Sequence, residues 1–214
     1  MELDLTFDTT FDMELDFNMD NTLNTRYIKV KDMVEVKEEH LLYKKAVDLA
    51  KDIDITDKSR HYVFLDGSFY FGDFIEALIV EKNYLVEELT ISTLSMNQNN
   101  VDSLCNILKA GYVGKLNLII SHYFYSHEKW GLIPYIYEKL DINNQFQLIV
   151  TRSHCKICLI RTPEQHIVIH GSANLRTSGN IEQIMIEESK ELYDFNYSYQ
   201  RDIMKRYSTI DKEQ

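Results

Sequence analysis

An imidazole and an ammonium one residue apart, His154 and Lys156, begin the part of the sequence whose residue types could do chemistry. Residues two apart on a strand point to one side, so an extended 154–156 segment would present both side chains together and turn Cys155 away. A histidine beside a fixed cation suits an anionic substrate. Next comes Gly171-Ser172-Ala173-Asn174. Its glycine lets backbone approach a ligand closely, and Asn174 offers an amide donor to a phosphate or a developing oxyanion. Gly179-Asn180-Ile181-Glu182 follows, and Glu182 could orient the histidine or hold its proton. Taken singly, His-x-Lys is an ordinary strand edge and Gly-Ser-x-Asn a common turn. Their order and spacing are the signal.

The elements that must position these residues follow from hydrophobic rhythm. Residues 27–36 alternate loosely as a strand, and 38–53 read as an amphipathic helix. Strands are expected over 62–65, 89–94, 116–121 and 146–151, with helices over 71–82, 100–110 and 132–140 between them. Pro134 is tolerated in a first helical turn, and Gly111 closes the helix before it. Strands alternating with helices imply a mostly parallel sheet covered on both faces. Runs at 155–160 and 167–169, joined by a turn at 162–165, add a hairpin; a short strand from Ile184 and a helix over 191–207 complete the chain.

The stretch His154-Cys155-Lys156-Ile157-Cys158-Leu159-Ile160, with His170-Gly171-Ser172-Ala173-Asn174-Leu175 and Ser178-Gly179-Asn180-Ile181-Glu182, resembles the active-site motif of the phospholipase D superfamily in its single-motif, nuclease-like branch. The resemblance implies an α/β, phospholipase D-like layered fold with a mixed, mostly parallel sheet flanked by helices. It implies that His154 attacks phosphorus to give a phosphohistidine. Lys156 and Asn174 would hold the phosphoryl oxygens, with Gly171, Ser172 and Asn180 in the substrate-binding part of the motif and Glu182 in an orienting role. No metal and no cofactor is required. The family places an aspartate five residues after the lysine, where this chain has Arg161. The family also works with two motifs, so a chain with one implies a homodimer whose two copies meet across a two-fold axis. The implied activity is a metal-independent phosphodiesterase acting on nucleic acid. The alternatives are a catalytically degraded adaptor that binds a partner through its N-terminal arm, and a phospholipid hydrolase, for which no basic amphipathic helix is evident.

Charge sets a test for that reading, because 23 basic against 34 acidic residues among 214 give a net charge of -11, the wrong sign for holding nucleic acid. Residues 1–22 hold seven acids and no base, whereas 109–182 carry an excess of bases. Leu3, Leu5, Phe7, Phe11, Met13, Leu15, Phe17 and Met19 occupy odd positions in that arm, a period of two. One strand of that length would span about 60 Å, so a hairpin or a strand laid on a partner is expected. The organisation is thus an acidic arm over 1–25, a lead-in over 26–57 and a phospholipase D-like unit over 58–214. There is no apolar run of about 18 residues, so no membrane span is expected. Three cysteines and acids directly after Met1 point to a reducing cytoplasm.

Other groups are assigned to structure. Cys155 and Cys158 would face opposite sides of a strand as buried small hydrophobes rather than bind zinc. His166 and His170 straddle a strand, with His170 close enough to the motif to affect its field; Gly67-Ser68 could bring amides near a phosphate at a helix N-terminus, and a plain strand-to-helix turn explains it equally well. His122, Tyr123, Phe124, Tyr125, His127 and Trp130 form an aromatic loop expected to roof the core or fill a dimer seam, with base stacking as the alternative. If the arm covers the basic surface, a chain lacking residues 1–22 binds nucleic acid more tightly at low salt in a filter-binding titration; unchanged or weaker binding contradicts an inhibitory arm.

Overall fold

The structure, a computed structural model, describes residues 45–176 and 179–209. The acidic arm, the strand expected over 27–36, most of the lead-in and Ser178 lie outside those residues. Of the helix expected over 38–53, the described part is α1 (Ala46–Asp52). β1 (Arg60–Leu65) leads into α2 (Phe71–Glu81), which buries Phe71, Phe74, Ile75, Leu78 and Ile79 at helical spacing. β2 (Glu88–Thr93) is followed by α3 (Gln98–Lys109), which Asn97 and Asn100 cap reciprocally before Gly111, at φ +78°, turns the chain away. β3 (Leu116–Ser121) runs into α4 (His122–Glu128), where a loop was expected; the Ser121 hydroxyl accepts from the Phe124 amide and caps it. α5 (Leu132–Leu140) and β4 (Phe146–Thr151) come next, then β5 (Ile157–Arg161), β6 (His166–Gly171), β7 (Glu182–Glu188) and α6 (Lys190–Tyr207).

Among the described residues these strands form one mixed sheet in the order β1-β7-β6-β5-β2-β3-β4. It is not mostly parallel: only β2–β3 and β3–β4 run parallel, while β1–β7, β7–β6, β6–β5 and β5–β2 are antiparallel. The reason is the length of the connections. A parallel neighbour needs a crossover about the length of a helix. α3 provides one between β2 and β3, and α4 with α5 provides the next. Beyond β4 the links are shorter and the strands reverse. β1 departs from the expected rhythm too, because α2 carries the chain past three strands and leaves β1 at the sheet edge, paired to β7.

The larger apolar core lies on the side of the sheet covered by α2, α3 and α5. The other face receives α6, where Leu159, Val168 and Tyr193 pack with Ile157, Leu192 and Tyr197. That face is also polar. Glu88, buried on β2, accepts from Asn117 Nδ2 at 2.8 Å, Tyr197 Oη at 3.0 Å and Arg161 Nη2 at 3.1 Å. Arg161 Nη1 reaches Glu87 at 2.7 Å. At the far edge, Arg60 of β1 bonds Glu187 of β7 through Nε at 2.7 Å and Nη2 at 2.6 Å, and His170 stands 3.4 Å from the other carboxylate oxygen. Among the described residues no helix is long and apolar enough to cross a membrane.

Two stability effects follow. Arg161→Asp sets a third carboxylate against Glu87 and Glu88. With Arg161 partly exposed, the cost is about 2–3 kcal/mol, a fall of roughly 4–12 °C in melting temperature by calorimetry. Burial raises the Glu187 pKa, yet the hydrogen bonds from His170 and Arg60 outweigh it and hold the carboxyl below its usual range. A depressed folded-state pKa means stability that is present above the ordinary carboxylate range and lost as pH falls through it. Glu187→Gln therefore costs about 2 kcal/mol in denaturant titrations at neutral pH, a difference that shrinks between about pH 5 and pH 3.

Candidate active site

The pairing directions bring one set of strand ends together. β1, β6, β2, β3 and β4 end at the same edge of the sheet at which β5 and β7 begin. Residues 152–156 join β4 to β5, and in the sheet order they must cross the ends of β3 and β2. Three inter-strand steps are about 14 Å, close to the reach of five extended residues. His154, in the middle of this link, is therefore carried across the C-terminal ends of β2 and β3.

The link is not a strand, which corrects the side-by-side placement of His154 and Lys156. β5 starts at Ile157 because its neighbours end there: Ile157 pairs with His170 on one side and Ser92 on the other. One residue earlier the Gly171 amide still reaches the Lys156 carbonyl at 3.4 Å, the last rung of the ladder. The Lys156 ammonium folds back to donate to the His154 carbonyl at 3.1 Å. Cys155 is exposed rather than buried, whereas Cys158 is buried as expected, with burial pushing its thiol pKa up.

Two further chain segments join this edge. Asn174 Oδ1 accepts from the Leu94 amide at 3.0 Å, and the Leu175 amide donates to Thr93 Oγ1 at 3.2 Å. Continuing the β5–β2 register by one residue sets Lys156 opposite Thr93, so Asn174 is tethered one strand away from the lysine. Ser172 Oγ donates to Glu182 Oε2 and accepts from the Gln183 amide at 3.0 Å. Glu182 thus holds the serine rather than the histidine. Among the described residues the exposed His154 imidazole has no hydrogen bond to Lys156, Asn174 or Glu182.

The glycines of the motif serve chain crossings. A Cβ on Gly171 would lie 2.0 Å from the Gln183 carbonyl oxygen, so what approaches this glycine is β7 itself rather than a ligand. Gly67, read from sequence as part of a turn, has φ +84° and a Cβ position 2.5 Å from the Gly179 nitrogen and 2.8 Å from that of Asn180. Its carbonyl accepts from the Gly179 amide at 3.1 Å. The turn after β1 therefore seats the Gly179-Asn180 backbone, and Asn180 itself is exposed.

Sequence reasoning missed Thr93 and Leu94, which hold the Asn174 loop and carry no local signal. It assigned His170 with His166 to structure, noting only that His170 is near enough to the motif to affect its field. His166 packs edge-on against Tyr193 at 5.1 Å, a structural role, but His170 lines an open hollow of about 310 Å³ with Gly171, Ser172, Gln183 and Met185. Alternation along β6 puts His170 and Ser172 on one side, the signal that could have found it. Arg161 stands at the opposite end of β5, five residues from Lys156 and about 16 Å along the strand. It belongs to the Glu88 cluster and not to this edge.

Comparison with known protein families and with curated proteins gives no match. Solved structures do resemble the chain. NucT from Helicobacter pylori superposes with a TM-score of 0.51 at 16% identity, over 69% of this chain and 97% of that one. Polyphosphate kinase from Porphyromonas gingivalis gives 0.51 at 12% identity, over 73% of this chain and 27% of the kinase. Phosphatidylserine synthase from Haemophilus influenzae Rd KW20 gives 0.50 at 14% identity, over 77% and 44%. At these identities the likeness concerns fold, and the fold is phospholipase D-like: layered α/β, with a mixed sheet between helices.

Proposed function

We propose that this protein is a metal-independent phosphodiesterase acting on nucleic acid as a homodimer. One observation carries the reading: the 154–156, 171–174 and 180–182 segments, separate in sequence, meet at the strand ends of one sheet edge, with Lys156 just before β5 and Asn174 tethered to the end of neighbouring β2. In this reading a ring nitrogen of His154 attacks phosphorus while the bond to the leaving oxygen breaks. The leaving oxygen takes a proton from His154 of a second copy, and water then releases the phosphohistidine. Lys156 and Asn174 carry the charge on the non-bridging oxygens, where a fixed donor is worth the most. Ser172, held by Glu182, fixes the turn beneath them.

The missing family aspartate does not weigh against activity, because Arg161 occupies the other end of the strand and has its own carboxylate partners there. A second reading, a non-catalytic adaptor, has one observation in its favour: the His154 imidazole is exposed and unbonded to its motif partners among the described residues. A single assay separates the two. Labelled single- and double-stranded DNA and RNA, and phospholipid vesicles, are incubated with the protein in chelator beside His154→Ala. The enzyme reading expects nucleic-acid cleavage that falls on the order of 10³-fold in the variant. Equal rates for both proteins contradict it, and cleavage confined to the vesicles moves the substrate to lipid.

A further inference from the structure

Helix α4 shows an aromatic surface that neither the core nor the candidate site uses. Of its aromatics, Phe124 is buried and Tyr125 packs on the core, as roofing residues do. Tyr123 and Trp130 are 68% and 88% exposed, so these two do not roof the core, which leaves a dimer seam or base stacking of the roles expected for the group. An indole so open to water needs a reason, since large aromatics are highly buried on average. Tyr123 and His127 are four residues apart on one side of α4, and Trp130 follows in the turn just beyond the C-cap Lys129, which keeps helical angles. Tyr123 and His127 already form a ring pair with centroids 4.0 Å apart, and the His127 Nδ1 is 2.9 Å from the Tyr123 carbonyl oxygen. Lys129 Nζ lies 5.4 Å from the Trp130 ring centre.

Its place in the fold connects this stripe to the candidate site. Ser121 and Thr151 are register partners at the ends of β3 and β4. α4 leaves the first of these ends and the link bearing His154 leaves the second, so both emerge side by side at the same edge. The charges facing outward there are Lys129, exposed Arg152 and Lys156; the nearby carboxylate of Glu128 is engaged by the Leu132 amide. Flat aromatic faces open to solvent next to cations, beside a site for phosphodiesters, match a strand whose bases are unpaired and can leave their stack. A duplex keeps its bases stacked inside and offers such a surface only its backbone.

Resting on the phosphodiesterase reading, we infer that Tyr123 and Trp130 stack unpaired bases of the substrate strand and make the site selective for single-stranded nucleic acid. The chain contains one tryptophan, so Trp130 reports on its own occupancy. The full-length His154→Ala protein, which leaves the strand uncut, is titrated in chelator with a twelve-nucleotide DNA or RNA and with the matching duplex while indole emission is followed. The inference expects quenching by the single strand and little change with duplex. Fluorescence anisotropy of labelled strands should show Tyr123→Ala and Trp130→Leu each weakening single-strand binding about tenfold, with duplex binding changed by less than about twofold. Quenching equal for the two ligands overturns it, as does single-strand binding that leaves Trp130 unchanged. An emission already typical of a buried indole, shifting to the red on dilution, also overturns it by showing a second copy over the patch. Cleavage without a Trp130 response sinks this inference alone; a Trp130 response without cleavage sinks the catalytic reading alone.

Discussion

The antiparallel pairing of β5 with β2 is the constraint on which the rest of the molecule depends. β2, β3 and β4 point one way, and a fifth strand added by another helical crossover would have followed them. Because β5 runs back along β2, its N-terminal end meets the C-terminal end of β2, and the residues before Ile157 are delivered to the edge where β6 ends and β7 begins. A slip of one residue would turn Leu159 into the large core and Cys158 and Ile160 toward α6, so register is held by burial on both faces. The Arg161–Glu88 contact is itself a register pair and locks the end of β5 remote from His154.

That lock is expensive to build. Glu88 is 3% exposed, and a buried carboxylate is tolerable only with donors on its oxygens. It has them from three elements: Asn117 on β3, Arg161 on β5 and Tyr197 on α6. Burial and the Glu88 charge together push the Tyr197 hydroxyl pKa up to about 12, so it stays a donor at physiological pH. The buried Gln200 amide of α6 has no hydrogen-bond partner among the described residues, and neither has Asn100 Nδ2 on α3. The division of labour is physical: the apolar face supplies cohesion, and the polar face fixes which strand lies where.

Much of this was legible in the sequence. Short apolar runs marked β2, β3 and β4, the first two buried along their whole length, and helical spacing marked α2 and α5, with α5 falling on Leu132–Leu140 as expected. The order of strands was not legible, since local pattern is the same whether a helix returns its strand to a neighbour or, as α2 does, carries it to the far edge. α4 was hidden because its helical face is turned to solvent and carries aromatics instead of charges. For the site, residue types announced the motif, but partners did not. Glu182 meets Ser172, Asn174 meets Leu94, and Gly171 makes room for β7, all through contacts between distant segments. The place of Arg161 was not legible either: it stands at the far end of β5, in the Glu88 cluster.

The central claim, that His154 becomes the covalent carrier of the phosphoryl group, is tested most directly by acid-free rapid quenching of the protein with a single-stranded substrate, followed by intact-mass measurement and peptide mapping. The account predicts a nucleotidyl or phosphoryl adduct, labile to acid and stable to base, on the peptide containing His154. Turnover with no adduct, or an adduct carried by His170 or another residue, would contradict it.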